Sequence, residues 1–199
     1  MCATCHQLSW PGGDRPFYDT YGEWERSAYA QAGVSCQDCH MPPVAAPAAA
    51  SKFAGQASHA FTADIARAVS ALVSLSAHHF QRGEPMTISL RLQNTGSGHH
   101  FPTGSPFKAY RIIGEVLDAE GAPLTEPFLH ELARTVEDSP PYLTLSDTRL
   151  PAGGEVSLSW NTTVPQGAAA QDGRVRISVQ STQSGSPPAI LQDIPIQIF

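Results

Sequence analysis

Four cysteines and two histidines carry the first chemical signal in this chain. Cys2-Ala-Thr-Cys5-His6 and Cys36-Gln-Asp-Cys39-His40 are two copies of one pattern, and together they use all 4 cysteines of the 199-residue sequence. In C-x-x-C-H the three-residue offset puts both sulfurs on one side of a single turn, where each can add to one vinyl group of a porphyrin. The adjoining histidine then reaches the iron as proximal ligand. Two C-x-x-C pairs can instead hold one zinc ion in a Cys₄ site. A thioredoxin-like redox pair would want a βαβ setting that this region lacks, and disulfides are the plain alternative in an exported domain. The histidine after the second cysteine in both copies favours two covalently attached c-type haems (haem c). The cofactor-binding residues are then Cys2, Cys5, His6, Cys36, Cys39 and His40, with His6 and His40 on iron.

The second motif ends a longer run, residues 19–42, DTYGEWERSAYAQAGVSCQDCHMP. It resembles a segment of multihaem c-type cytochromes of the c552/c554 kind, in which a TYxEW…GVxCQDCHMP stretch ends in a haem site. The resemblance extends to a His-x-Phe element, His59-Ala-Phe61, and to residues 94–104, NTGSGHHFPTG, which are similar to the family's GHxFPTG-like element. It covers roughly the first half of the chain. It implies that His59 and His99 are distal axial ligands, giving bis-His, low-spin irons suited to electron transfer. His100 adjoins the matched position, while His78, His79 and His130 match no element of the family. Met41 follows His40 directly and cannot turn back onto the same iron, and Met1 and Met86 are generic. Gly96, Gly98 and Gly104 would let the loop backbone come close to a flat macrocycle.

Elements that must position these residues follow from periodicity. A helix is expected over about residues 19–32, with Tyr21, Trp24 and Tyr29 forming an aromatic face and Gly33 stopping it. That face fits either a porphyrin or a small core. Residues 42–57, PPVAAPAAASKFAGQA, read as an extended connector. Residues 65–77 suggest a short helix passing into a strand. Beyond Gly83 the alternation is β: Met86, Ile88, Leu90 and Leu92 on one face, then Val156, Leu158 and Trp160, then Val175, Ile177 and Val179, and finally Ile194, Ile196 and Ile198. Residues 110–117 form an apolar run suited to a central strand. The expectation is a mixed fold: a small irregular or α-helical dihaem module with its connector at residues 1–62, followed at 63–199 by an antiparallel β-sandwich of immunoglobulin-like type.

Composition narrows the function classes. Lys plus Arg is 12 against 18 Asp plus Glu, a formal charge of −6, which argues against nucleic-acid or anionic-membrane surfaces. Charged residues are 15% of the chain, below the usual ~25%, so a charge at Glu23, Glu25 or Asp38 near the motifs could tune a potential, or simply be solvated. No apolar run reaches the ~18 residues of a membrane span. Haem c is attached after export, so a periplasmic or extracellular location is expected. Met1 directly before Cys2, without a signal peptide, fits a mature or N-terminally truncated piece, with further haem sites upstream. The leading expectation is an electron carrier rather than an enzyme, meeting redox partner proteins through an acidic surface. Two alternatives stand beside it: a haem-dependent reductase or oxidoreductase of a small nitrogen or sulfur oxyanion, and a subunit that stacks haems with other copies of itself. No catalytic residue is singled out.

Overall fold

A computed structural model describes residues 2–41 and 65–199. Its central strand, β3 (Pro85–Asn94), shows how the alternation becomes a core. Met86, Ile88, Leu90, Leu92 and Asn94 are fully buried, while Thr87, Ser89 and Arg91 face out. β3 pairs antiparallel with β1 (Val69–Leu75) on one side and with β7 (Glu155–Thr163) on the other, making a three-stranded sheet. The second sheet has six strands in the order β2 (His79–Phe80), β9 (Ala189–Ile198), β8 (Gln171–Ser181), β4 (Ala109–Leu117), β5 (Phe128–Val136) and β6 (Thr144–Asp147). Its neighbours are antiparallel except β2, which runs parallel to β9.

One hydrophobic cluster joins the sheets, with Leu90 and Leu92 from the first and Ile112, Val175, Ile177 and Ile196 from the second. Trp160 reaches from β7 across to the other sheet and stacks on Phe128, ring centroids 4.6 Å apart and planes 11° from parallel. A Cβ on Gly114 of β4 would lie 2.7 Å from the same indole. Only glycine leaves room for Trp160 there.

These observations correct the expected fold class. The chain is mainly β, and the described helices have only four to six residues: α1 (Ala3–His6), α2 (Thr20–Glu25), α3 (Ala28–Gln31), α4 (Cys36–His40) and α5 (Ile65–Ala68). Such one-turn pieces are far below the ~12 residues at which a helix begins to hold by itself. They cannot form a helical dihaem module, and the first forty residues depend on the sheets instead. The β part consists of two packed sheets of three and six strands, with every pairing antiparallel except β2 with β9.

The helix expected over 19–32 is broken. Ser27 adopts extended backbone geometry, its hydroxyl donates to the Trp24 carbonyl, and it caps α3 from Ala30 N–H. The 65–77 segment does pass from helix into strand, as α5 and β1. The 110–117 run lies in β4, between β8 and β5. β5 has no alternation to read, because Arg134 is buried within it beside Leu132 and Ala133. Among the described residues no helix is long and apolar enough to cross a membrane.

Ile177, on β8, is fully buried in the core cluster that residues of both sheets form. Ile177→Ala should lower unfolding free energy by about 2–5 kcal/mol, read as an earlier midpoint in a denaturant titration; an unchanged midpoint would mean the two sheets do not share this core.

Candidate haem-binding site

Each C-x-x-C-H motif is a single helical turn. In the first, the amides of Cys5 and His6 donate to the Cys2 carbonyl at 3.1 and 2.9 Å, so Cys2 heads α1. In the second, the Asp38 carboxylate accepts from the Ser35 amide and hydroxyl at 2.7 and 2.8 Å and so fixes the start of α4. Asp38 therefore serves the helix end. The motifs meet: Gln37 Nε2 lies 3.9 Å from Cys2 Sγ, and burial, followed by the adjacent Cys2 thiol, pushes the Cys36 thiol up. All four cysteines are free thiols, with Cys5 and Cys39 exposed. Among the described residues no three His, Cys, Asp or Glu side chains converge as a metal cluster would require.

His99 comes to the second motif from the loop after β3. Its ring and that of His40 are 15° from parallel with centroids 6.0 Å apart. That separation exceeds the ~4 Å of van der Waals contact. It is a span that two metal–nitrogen bonds of about 2.0 Å, the length imidazole makes to zinc, would help to fill. The Nδ1–H of His99 donates to the His100 carbonyl at 2.9 Å, which leaves Nε2 as the ring's lone-pair nitrogen, the tautomer a metal takes. Burial holds both His99 and His40 below the usual histidine range. The His99 carbonyl accepts from Asn94 Nδ2 at 2.8 Å and Ser97 Oγ at 2.9 Å, and Asn94 is fully buried at the end of β3. Donor chemistry, tautomer and free thiols thus fit a covalently held haem.

Two of the loop glycines are closely packed. A Cβ on Gly96 would overlap the Arg67 carbonyl, and one on Gly98 would stand 3.1–3.2 Å from Tyr29 and Trp24. The close approach at both is to protein. Trp24 donates its indole N–H to the Val34 carbonyl at 2.9 Å and Tyr29 its hydroxyl to the Thr95 carbonyl at 2.8 Å. Those aromatic side chains join α2 and α3 to the second motif and to the His99 loop.

The other histidines are elsewhere. His59 lies outside the described residues, as does Met1. His78 and His79 sit beside the end of β9, His78 Nδ1 3.4 Å from the Pro195 carbonyl and His79 stacked on Phe199. His130 is on β5 opposite Ile112, and Met86 is core.

Sequence reasoning missed the strongest polar anchor. Glu23 on α2 is 4% exposed, not a solvated charge. Its carboxylate accepts from Thr103 Oγ at 2.6 Å, from the His100 amide at 3.2 Å and from Arg149 Nη1 at 2.8 Å. Arg149 in turn grips Asp147 through two 2.8 Å bonds. Burial alone would raise the Glu23 pKa, but the His100 ring 3.5 Å away, the Thr103 bond and the Arg149 charge bring it down to about 2. Arg149 and Asp147 are more than a hundred residues away, so no local pattern announces them. The only available signal was a glutamate within an aromatic run in a chain poor in charge.

Comparison with solved structures gives a substantial likeness of fold. The fold is similar to a penta-haem cytochrome c552 from Thermochromatium tepidum, with a TM-score of 0.61 and 21% identity over 99% of this chain and 55% of that one. At that identity the likeness is one of fold, and the chain spans about half the length of that cytochrome. An alkylpurine DNA glycosylase of Pseudomonas fluorescens (TM-score 0.35, 11% identity, 66% of this chain and 30% of that one) and a β-glucosidase from Listeria innocua (TM-score 0.37, 12% identity, 65% and 16%) match too weakly to bear on function. No family model and no curated protein matches the chain.

The Glu23 anchor has a pH signature. A carboxyl at about 2 in the folded chain and near 4.5 when unfolded contributes stability that is complete above pH ~4.5 and lost as pH falls through about 2. The shift corresponds to roughly 3 kcal/mol. Glu23→Gln should be less stable than wild type at pH 7, and the gap should close in acid. Parallel pH–stability curves for the two proteins would show that Glu23 is not the group responsible.

Proposed function

We propose that this chain is an electron-transfer module carrying two covalently attached c-type haems, one at Cys2, Cys5 and His6 and one at Cys36, Cys39 and His40. The observation that carries the reading is the opposition of His40 and His99 beside two adjoining C-x-x-C-H turns. The fold likeness to a penta-haem cytochrome supports it from outside the motifs. When bound, haem iron supplies a one-electron couple whose potential is set by its axial ligands and surroundings.

The residues divide the work. The cysteine thiols form thioether bonds that fix the group, and His6 and His40 offer the proximal nitrogens. His99 offers the distal nitrogen on the His40 side, held in the correct tautomer by its own Nδ1 bond. His59 is proposed for the other iron by resemblance. Neither iron would then keep an open position, which favours an electron carrier over an enzyme. The 1–62 and 63–199 division is retained as a functional one: the first part would hold the haems, the second would supply His99 and a docking face. An exported chain, periplasmic or extracellular, fits haem c assembly. With a formal charge of −6 and added propionates, its redox partners would present basic patches.

The test is the chain expressed with cytochrome c assembly machinery. A pyridine haemochrome count of two per chain and low-spin spectra in both oxidation states are expected. His99→Ala should turn one of the two haems high-spin while leaving the covalent count at two. A chain with no haem and one zinc per molecule would defeat the proposal, and a high-spin wild type would favour the reductase reading.

A further inference from the structure

Beside the His99 loop lies a cavity of about 300 Å³, room for about ten water molecules at ~30 Å³ each. Four arginines from separate parts of the chain, Arg15, Arg26, Arg134 and Arg149, line it together with Glu23 and His100. Three of these arginines are already matched. Arg149 pairs with Glu23 and Asp147, Arg26 with Asp19 at 2.6 Å, and Arg15 with Asp147 at 3.2 Å. The one remaining carboxylate on the wall, Asp14, accepts from the amide and hydroxyl of Thr144.

Arg134 is the exception. It is 3% exposed near the end of β5, and among the described residues no carboxylate lies within ion-pair distance of it. Its Nη1 donates to the Pro16 carbonyl at 2.6 Å and its Nε to Thr144 Oγ1 at 3.2 Å, while Nη2 makes no hydrogen bond to a described residue. Burial first, and then the neighbouring Arg149 charge, pull its pKa down against the Asp14 and Asp147 carboxylates, which raise it. Neither carboxylate bonds the guanidinium directly, and its planar fork matches two oxygens of an anion. Arg15 and Arg26, with side chains 56% and 63% exposed, stand where an incoming anion would first meet positive charge.

We propose that this cavity binds a carboxylate or small inorganic oxyanion, held by Arg134 and gathered at the rim by Arg15 and Arg26. Two sources share that chemistry: a haem propionate, which rests on the cytochrome reading, and a free anion, which does not. Either would lie next to Glu23 and His100, the groups that seat the His99 loop.

The experiment is calorimetric titration of the holoprotein with acetate at constant ionic strength, paired with the midpoint potential measured across pH. If the site is open, acetate binds once per chain, and Arg134→Gln weakens it at least ten-fold. The Arg15→Gln/Arg26→Gln double variant, which touches only exposed side chains, weakens it to a lesser degree. If a propionate fills the site, acetate does not bind. Both variants then keep two low-spin haems but lower the midpoint, and the carboxyl titration visible in its pH dependence moves upward as positive charge is removed. Acetate binding that ignores Arg134, or no binding together with wild-type midpoints in the double variant, overturns the proposal. A wild-type chain that carries no haem yet binds acetate through Arg134 would end the cytochrome reading and leave the anion site standing.

Discussion

A single buried carboxylate holds together parts of this molecule that have little else in common. Glu23 lies on a six-residue helix between the two C-x-x-C-H motifs, yet its partners belong to the 95–104 loop and to the segment after β6. An unpaired carboxylate at that depth would be costly enough to take up a proton instead. With three donors and the Arg149 charge around it, burial becomes favourable and directional. Because each partner has one position from which it can donate, the pairing sets where the N-terminal segment lies as well as that it stays. The helices of that segment are too short to do this by themselves.

The second support is apolar. Phe17 packs among Trp10, Tyr18, Phe107 and Tyr142, with ring centroids 5.0–6.3 Å apart. This cluster attaches the stretch after the first motif to the six-stranded sheet, as Arg134 does through the Pro16 carbonyl. Polar and aromatic anchors, Glu23 and Phe17, thus act close together near the middle of the same forty residues. Between them the two motifs are held side by side, and the rigid end of β3 at Asn94 carries His99 to the second one.

Electrostatics divides along the same line. The chain as a whole is acidic, but where its N-terminal segment meets the sheets arginines gather, each bonded to a carboxylate except Arg134. The net charge would act on partners at a distance, the gathered arginines on a ligand in contact. In the proposed electron carrier, these arginines lie close enough to the His99 loop for their charges to bear on the potential of the iron.

Much of the chemistry was legible in residue order, because it is local. A C-x-x-C-H motif is complete within five residues, so the two turns and the strand at 85–94 follow from spacing and alternation, while the capping of the second turn by Ser35 and Asp38 was not read there. The fold class was not legible. Short helical patterns looked like a module until the sheets beneath them were seen, and β5 hid itself because a buried Arg134 breaks the alternation that marks a strand. The division of strands into sheets of three and six, and the parallel pairing of β2 with β9, depend on long-range register that no local pattern encodes. Likewise the sequence named His99 by its loop, but its opposition to His40 is a meeting of residues nearly sixty positions apart. The Glu23–Arg149 pair spans more than twice that. Sequence by itself determined which groups could hold a cofactor; tertiary structure alone decided which of them face one another, since that depends on buried charges finding partners far along the chain.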